Sequence, residues 1–293
     1  MDPDAALIIC RFLHDAAAML VWGGTAYLAT LVPRRLADDV ARHLTRVGLV
    51  AIAMAVATTA AMLPIEAARL GDGWADAFSA DAVRGFLIDT AGGGAWGWQA
   101  AAAVLLAVAL LLPVRVRRVG IATAAGATLV TLALTGHAVM HDDADGIAQR
   151  LNDAAHVLSA GAWFGALAPL VAIVWRLGEP AFGEDAATAL RRFLFAGHLA
   201  VALAIATGAA NTLFIVRHPP MDWGSPYQVL LSIKIAVVAV MLALALANRY
   251  VTMPRTGGDP GAITALRRGT MVEIGLGLAA IALVAVFGTL DPA

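Results

Sequence analysis

The stretch YQVLLSIKIAVVAVMLALALANRY, residues 227–250, decides the fold. Before Arg249 its only charge is Lys234. As an α-helix its 24 residues rise about 36 Å, enough to cross a hydrocarbon core of roughly 30 Å. Working outward, seven further apolar runs between charged punctuation reach or approach that length, at residues 5–32, 47–69, 96–112, 119–141, 151–175, 192–216 and 269–290. The runs are Ala- and Leu-rich, far longer than a barrel strand and without alternation of period two, so strands are excluded. The expected architecture is all-α, a polytopic membrane bundle of about eight transmembrane helices forming a single membrane domain over 1–293.

Composition agrees. Apolar residues make up 60% of the chain and charged residues 14%, with a mean hydropathy of +0.79, the reverse of a soluble domain. The net charge of -1 hides a strong sorting of charge along the sequence, which suggests neither a nucleic-acid surface nor an acidic tail, so nucleic acid is not an expected partner and the lipid bilayer is the expected surrounding. A single cysteine, Cys10, excludes a disulfide framework and CxxC sites, so a metal would rely on His, Met or carboxylate. No GxxxxGK[ST] motif is present. The N-terminal MDPDAALIIC lacks a basic n-region and leads into a run too long for a signal-peptide core, so a retained first helix is expected.

Alternate loops hold 14 of the 20 Lys and Arg residues: Arg34, Arg35, Arg42 and Arg46; Arg115, Arg117 and Arg118; Arg176, Arg191 and Arg192; Arg249, Arg255, Arg267 and Arg268. The opposite loops carry Asp72, Asp76, Asp81, Asp89, Asp142, Asp143 and Asp145. The positive-inside rule then places the Arg-rich loops in the cytoplasm and both termini in the periplasm. An outer loop is expected over 71–95, with a short surface helix, ending at Gly92–Gly94 before Trp96 and Trp98 at the membrane interface.

An ionisable group at bilayer depth costs a few kcal/mol on insertion scales, so each one is paired or useful. Cys10 and His14, and Arg11 and Asp15, are i,i+4 pairs in the first span. Arg11 with Asp15 reads as a structural ion pair and Cys10 as a small buried apolar group. His137 and His141 share a face at the outer end of the fourth span, with Met140 between them, and His156 follows at the outer start of the fifth with Asp153 one turn earlier, able to hold the second ring nitrogen. His14, His137 and His156 fall at comparable depth. Imidazole suits copper, zinc and iron, and an added thioether favours monovalent copper, so the ligand set points to a transition metal over magnesium or calcium without identifying one by itself. The candidate metal ligands are therefore His14, His137, His141 and His156, with Met140, His218 and Met221 as weaker entry ligands. Deeper polar residues are His198, toward the cytoplasmic side, and Lys234 with Glu273, read as an ion pair. No catalytic constellation is expected: Ser159 follows His156 by three residues but lacks a third partner or an oxyanion arrangement.

These residues resemble the copper resistance protein D (CopD) family of bacterial inner-membrane proteins, most clearly over 119–293. DAAHVLSAGAWFGALAPL from Asp153 is similar to that family's His, Trp and Gly helix, and RRFLFAGHLAVALAIATGAAN from Arg191 to its next one. The helix from Ser225 carries the family's Tyr, Lys and Asn-Arg before Pro, and LRRGTMVEIGLGLAAIALVAVFGTLDPA its closing Glu and Gly-Thr-x-x-Pro. Gln99 stands where the family pattern has a basic residue. The resemblance implies a multi-pass protein of the bacterial inner membrane, not an enzyme. It would bind copper and move or deliver it, often beside a periplasmic copper-binding (CopC-like) partner. The residues themselves leave an alternative open, since two histidines on facing helices can also ligate haem b. A third reading is a metal-free assembly factor.

Overall fold

The computed structural model describes residues 1–135, 144–216, 219–257 and 259–292. His137, Met140, His141 and His218 lie outside the described residues. Ten α-helices occur among those described, and no strand. They are α1 (Pro3–Thr30), α2 (Arg34–His43), α3 (Thr45–Leu70), α4 (Ala80–Asp89), α5 (Ala91–Ala109), α6 (Val114–Leu132), α7 (Ala144–Trp175), α8 (Gly183–Val216), α9 (Pro226–Ala247) and α10 (Pro260–Phe287). The starts follow from local chemistry. Asp2, Ser225 and Asp259 accept backbone N–H groups of the first turn of α1, α9 and α10, each followed by a proline whose missing N–H costs nothing there.

Seven of these helices are long and apolar enough to cross a membrane. The expectation was about eight. The difference is α6, which runs beside them but opens with Arg115, Arg117 and Arg118; the outer end of the expected fourth span lies outside the described residues. The expected surface helix is α4, but the loop is shorter than 71–95 because α5 begins at Ala91, where Thr90 caps the Gly93 N–H at 3.0 Å. Gly93 has to be glycine, since a Cβ there would collide with the backbone of Phe86 and Leu87. Trp98 is exposed as an interfacial residue should be, whereas Trp96 turns inward and donates its indole N–H to the Thr59 carbonyl at 2.9 Å.

The long helices run up and down, so the Arg-rich loops gather at one end. There Arg118 pairs with Asp38 at 2.7 Å, Arg176 with Asp39 at 2.7 Å, and Arg192 donates to the Leu31 carbonyl at 3.3 Å. The amphipathic α2 is clamped against this end by Leu36, Ala37 and Val40, all fully buried. At the other end Arg69 pairs with Asp4 at 2.6 Å, and Trp74 donates to the Met1 carbonyl at 2.8 Å. We call this second end, which holds both termini, the upper end.

In the centre α1 packs on α7 at backbone contact. A side chain on Gly165 would collide with the Met19 carbonyl, and one on Gly23 would lie 2.8 Å from the Gly165 Cα. Small residues here replace a hydrophobic driving force with close van der Waals packing, the usual device between helices in lipid. The outward faces of α8, α9 and α10 expose Leu199, Leu203, Ile235, Val240 and Val272, the apolar surface a bilayer requires.

Candidate functional site

On α1, Leu7, Arg11, Asp15 and Met19 follow one another at four-residue steps and so form one stripe. That stripe lines a cavity of about 760 Å³ in the upper half of the bundle, completed by residues of α3 to α10. His156 and Asp153 enter it from α7 and Lys234 from α9.

The His156 ring is fixed from one side. Its Nδ1 lies 3.0 Å from the Ala204 carbonyl oxygen, which can only accept, so Nδ1 carries the proton and donates. The Thr207 hydroxyl, 3.1 Å from the same nitrogen, already gives its own proton to the Leu203 carbonyl. In a neutral ring this leaves the Nε2 lone pair free, and Nε2 has no hydrogen-bond partner among the described residues. The ring sits close against Gly208, where a Cβ would lie 3.0 Å from Cε1. Asp153 does not hold the ring, contrary to expectation. Its carboxylate accepts from Asn211 Nδ2 at 2.9 Å, and Asn211 is in turn held by Asn152 at 2.7 Å.

His14 points elsewhere. It faces α3, fully buried, with Nδ1 at 3.1 Å from the Thr58 hydroxyl and 3.4 Å from that of Thr59. Both hydroxyls spend their protons on backbone carbonyls, at 2.7 Å to Met54 and 2.9 Å to Ala55. His14 Nδ1 is thus the donor, and its Nε2 is a buried nitrogen without a partner among the described residues. His14 is not part of the cavity wall that holds His156. Among the described residues no group of three or more His, Cys, Asp and Glu is placed to hold a metal ion. The structure therefore sets His14 and His156 against different helices. Met221 is exposed at the upper end.

Two expected ion pairs do not form. Arg11 donates to the Gly288 carbonyl at 3.1 Å, capping the negative end of α10 instead of pairing with Asp15. Lys234 is not paired with Glu273. Its ammonium sits 5.7 Å from the centre of the Phe287 ring, in the field of Asp153. Glu273 lies lower, where Oε1 accepts from Asn248 Nδ2 at 2.6 Å. The reason is register: Asn248, at the start of the turn that follows α9, lies about four turns below Lys234, and only Asn248 is level with Glu273.

Glu273 and Asn248 line a second cavity of about 270 Å³, together with His198 and Arg249. His198 Nε2 lies 3.1 Å from the Tyr250 hydroxyl, and Nδ1 is in contact with Arg249. Residues Asn248–Thr252 form a π-helical turn that continues α9. Sequence reasoning missed the thioethers of Met19, Met62 and Met241, which line the upper cavity. Met19 could have been found, since it extends the Arg11 and Asp15 stripe by one step of four.

Fold and cavity together define a multi-pass helical membrane protein with a largely apolar cavity in its upper half, into which a few ionisable side chains project. The profile described as "Copper resistance protein D-like, N-terminal domain" matches residues 1–147, and "Copper resistance protein D" matches 187–287. Inner membrane protein YebZ of Escherichia coli (strain K12) is 33% identical over 292 residues, covering 97% of this chain and 98% of that one. Copper resistance protein D of Pseudomonas syringae pv. tomato is 33% identical over 215 residues, 68% of each chain. Copper transport protein CutJ of Bacillus subtilis (strain 168) is 31% identical over 240 residues, 78% of this chain but 42% of that longer protein. No solved structure matches. The chain belongs to the copper resistance protein D family and is a multi-pass protein of the bacterial inner membrane.

Proposed function

We propose that this protein binds copper in the upper cavity and moves or delivers it across the inner membrane, without a catalytic step of its own. The observation that carries the reading is the Nε2 of His156, without a partner among the described residues, on an oriented imidazole in the wall of a cavity that also holds the Asp153 carboxylate and the Met19, Met62 and Met241 thioethers, donor types suited to copper. The hydrogen bond from Nδ1 to a carbonyl is the arrangement that fixes the tautomer and orients metal-ligating histidines.

His14, His137 and His141 belong to the proposal as further donors. His14 serves as a separate station, because its buried Nε2 is unpartnered yet lies off the cavity wall. His137 and His141 rest on their four-residue spacing, and Met140, His218 and Met221 on their place at the expected outer entry. The Arg-rich end is assigned to the cytoplasm, so the upper cavity opens toward the periplasm, where a CopC-like partner would hand copper over.

Bound copper in detergent-purified wild type and in a His14→Ala, His156→Ala double variant tests the reading. A fall in stoichiometry is expected; equal stoichiometry removes it. One observation favours a second reading. A cavity of about 760 Å³ is in the size range of organic ligands, and His156 presents a free nitrogen to it, as an axial haem b ligand would. A Soret band that shifts on reduction would establish haem in place of copper.

A further inference from the structure

The two cavities meet at one layer of side chains. Trp163 and Ile205 line both of them, and no other of the described residues does. The layer is level on four helices. On α7, His156 is seven residues above Trp163; on α8, His198 is seven below Ile205; on α9, Met241 is seven from both Lys234 above and Asn248 below. Seven residues are about 10 Å of helix. On α10, Gly277 borders the upper cavity and Glu273, one turn down, the lower. Phe164 seats on Gly277 so closely that any side chain there would collide with the ring. Every helix around the layer thus carries a polar group above it, below it or on both sides, and apolar or small residues within it.

We propose that the two cavities are consecutive halves of one cation passage and that Trp163, with Ile205, is the gate between them. The proposal depends on the preceding reading only for the identity of the cargo. Above the gate the receiving groups are His156 Nε2 and the Asp153 carboxylate. Below it the receiving group is Glu273, whose Oε1 is steadied by Asn248 while Oε2 has no partner among the described residues. A hydrophobic constriction gates by dewetting, so a hydrated ion would be excluded while the indole is in place. Trp163 is 7% exposed, and its indole N–H has no hydrogen-bond partner among the described residues, so no polar bond ties the ring shut. The lower wall carries the π-helical turn at Asn248–Thr252, a local register change of the kind found at functional sites.

The test needs no copper. On a Cys10→Ser background, one reporter cysteine is placed above the gate (Asn211→Cys) and one below it (Thr270→Cys), since these residues line the upper and lower cavities respectively. A thiol reagent that does not cross bilayers is applied from the face on which Asn211→Cys reacts. Thr270→Cys is expected to be protected with Trp163 intact and to react severalfold faster after Trp163→Ala or Ile205→Ala. Protection that persists in both variants, each monodisperse and each with Asn211→Cys still reactive, overturns the gate, as does full reactivity with Trp163 present. Should Trp163→Ala fail to assemble, Ile205→Ala and Trp163→Phe carry the same comparison. Copper flux in proteoliposomes is read in parallel. Opened labelling without copper flux upholds the passage and removes copper as its cargo.

Discussion

His156 Nδ1 donates to the Ala204 carbonyl oxygen at 3.0 Å, a bond from α7 to α8 that fixes which nitrogen of the ring faces the cavity. The upper site's chemistry follows from it. A ring held in this tautomer is ready to ligate without paying to reorient.

Gly208→Ala therefore weakens copper binding without touching a ligand. The new Cβ would lie 3.0 Å from His156 Cε1, so the ring has to shift by a few tenths of an ångström, which strains its bond to the Ala204 carbonyl. A loss of about 10- to 100-fold in affinity is expected, as for other groups that orient metal ligands. Competition with a copper chelator of known affinity measures it.

His14→Ala lowers stability. The ring is fully buried between α1 and α3, and its removal leaves an internal void costing about 3 kcal/mol. Thermal unfolding in detergent should show the fall, and added copper should raise the midpoint of the wild type more than that of the variant.

Gly165→Ala separates α1 from α7. Its Cβ would meet the Met19 carbonyl, a backbone atom that cannot rotate away, so the cost lies at the upper end of overpacking effects, about 3 kcal/mol or more. Size-exclusion profiles and unfolding midpoints check this. A variant as stable as wild type would show that the helices do not approach as described.

At the lower end the Arg176 guanidinium, donating at 2.7 Å, holds the Asp39 carboxyl below the usual carboxylate range. A depressed native pKa gives stability that is present above the unfolded value, about 4, and is lost as pH falls through the native value. Asp39→Asn should therefore cost about 0.2–1 kcal/mol at neutral pH, the range for exposed pairs. The difference between variant and wild type should vanish on acidification below the ordinary carboxylate range. Unfolding midpoints across pH test the sign.

Much of this molecule was legible in its sequence, because lipid imposes simple demands. Run length located α1, α3, α5 and α7 to α10, and the sorting of arginines anticipated which loops share an end, as the Arg118–Asp38 and Arg176–Asp39 contacts bear out. The partners of buried charges were not legible. Spacing of four put Arg11 beside Asp15, yet a carbonyl at the end of α10, 277 residues away, takes the guanidinium. Equal depth was expected to bring His14 and His156 together, but depth fixes only one coordinate. The rotation of α1 sends His14 toward α3 while its neighbours Arg11 and Asp15 face the cavity. That rotation is set by the Gly23 and Gly165 contact with α7, which lies in no local pattern.

The central claim is that a free His156 Nε2 receives copper in the upper cavity. X-ray absorption at the copper edge on the loaded, purified protein tests it most directly. The account predicts the multiple-scattering signature of an imidazole ligand at roughly 2.0 Å, a distance typical of imidazole nitrogen on a first-row metal, diminished in His156→Ala while His198→Ala leaves it unchanged. An identical copper spectrum in wild type and His156→Ala would contradict the account.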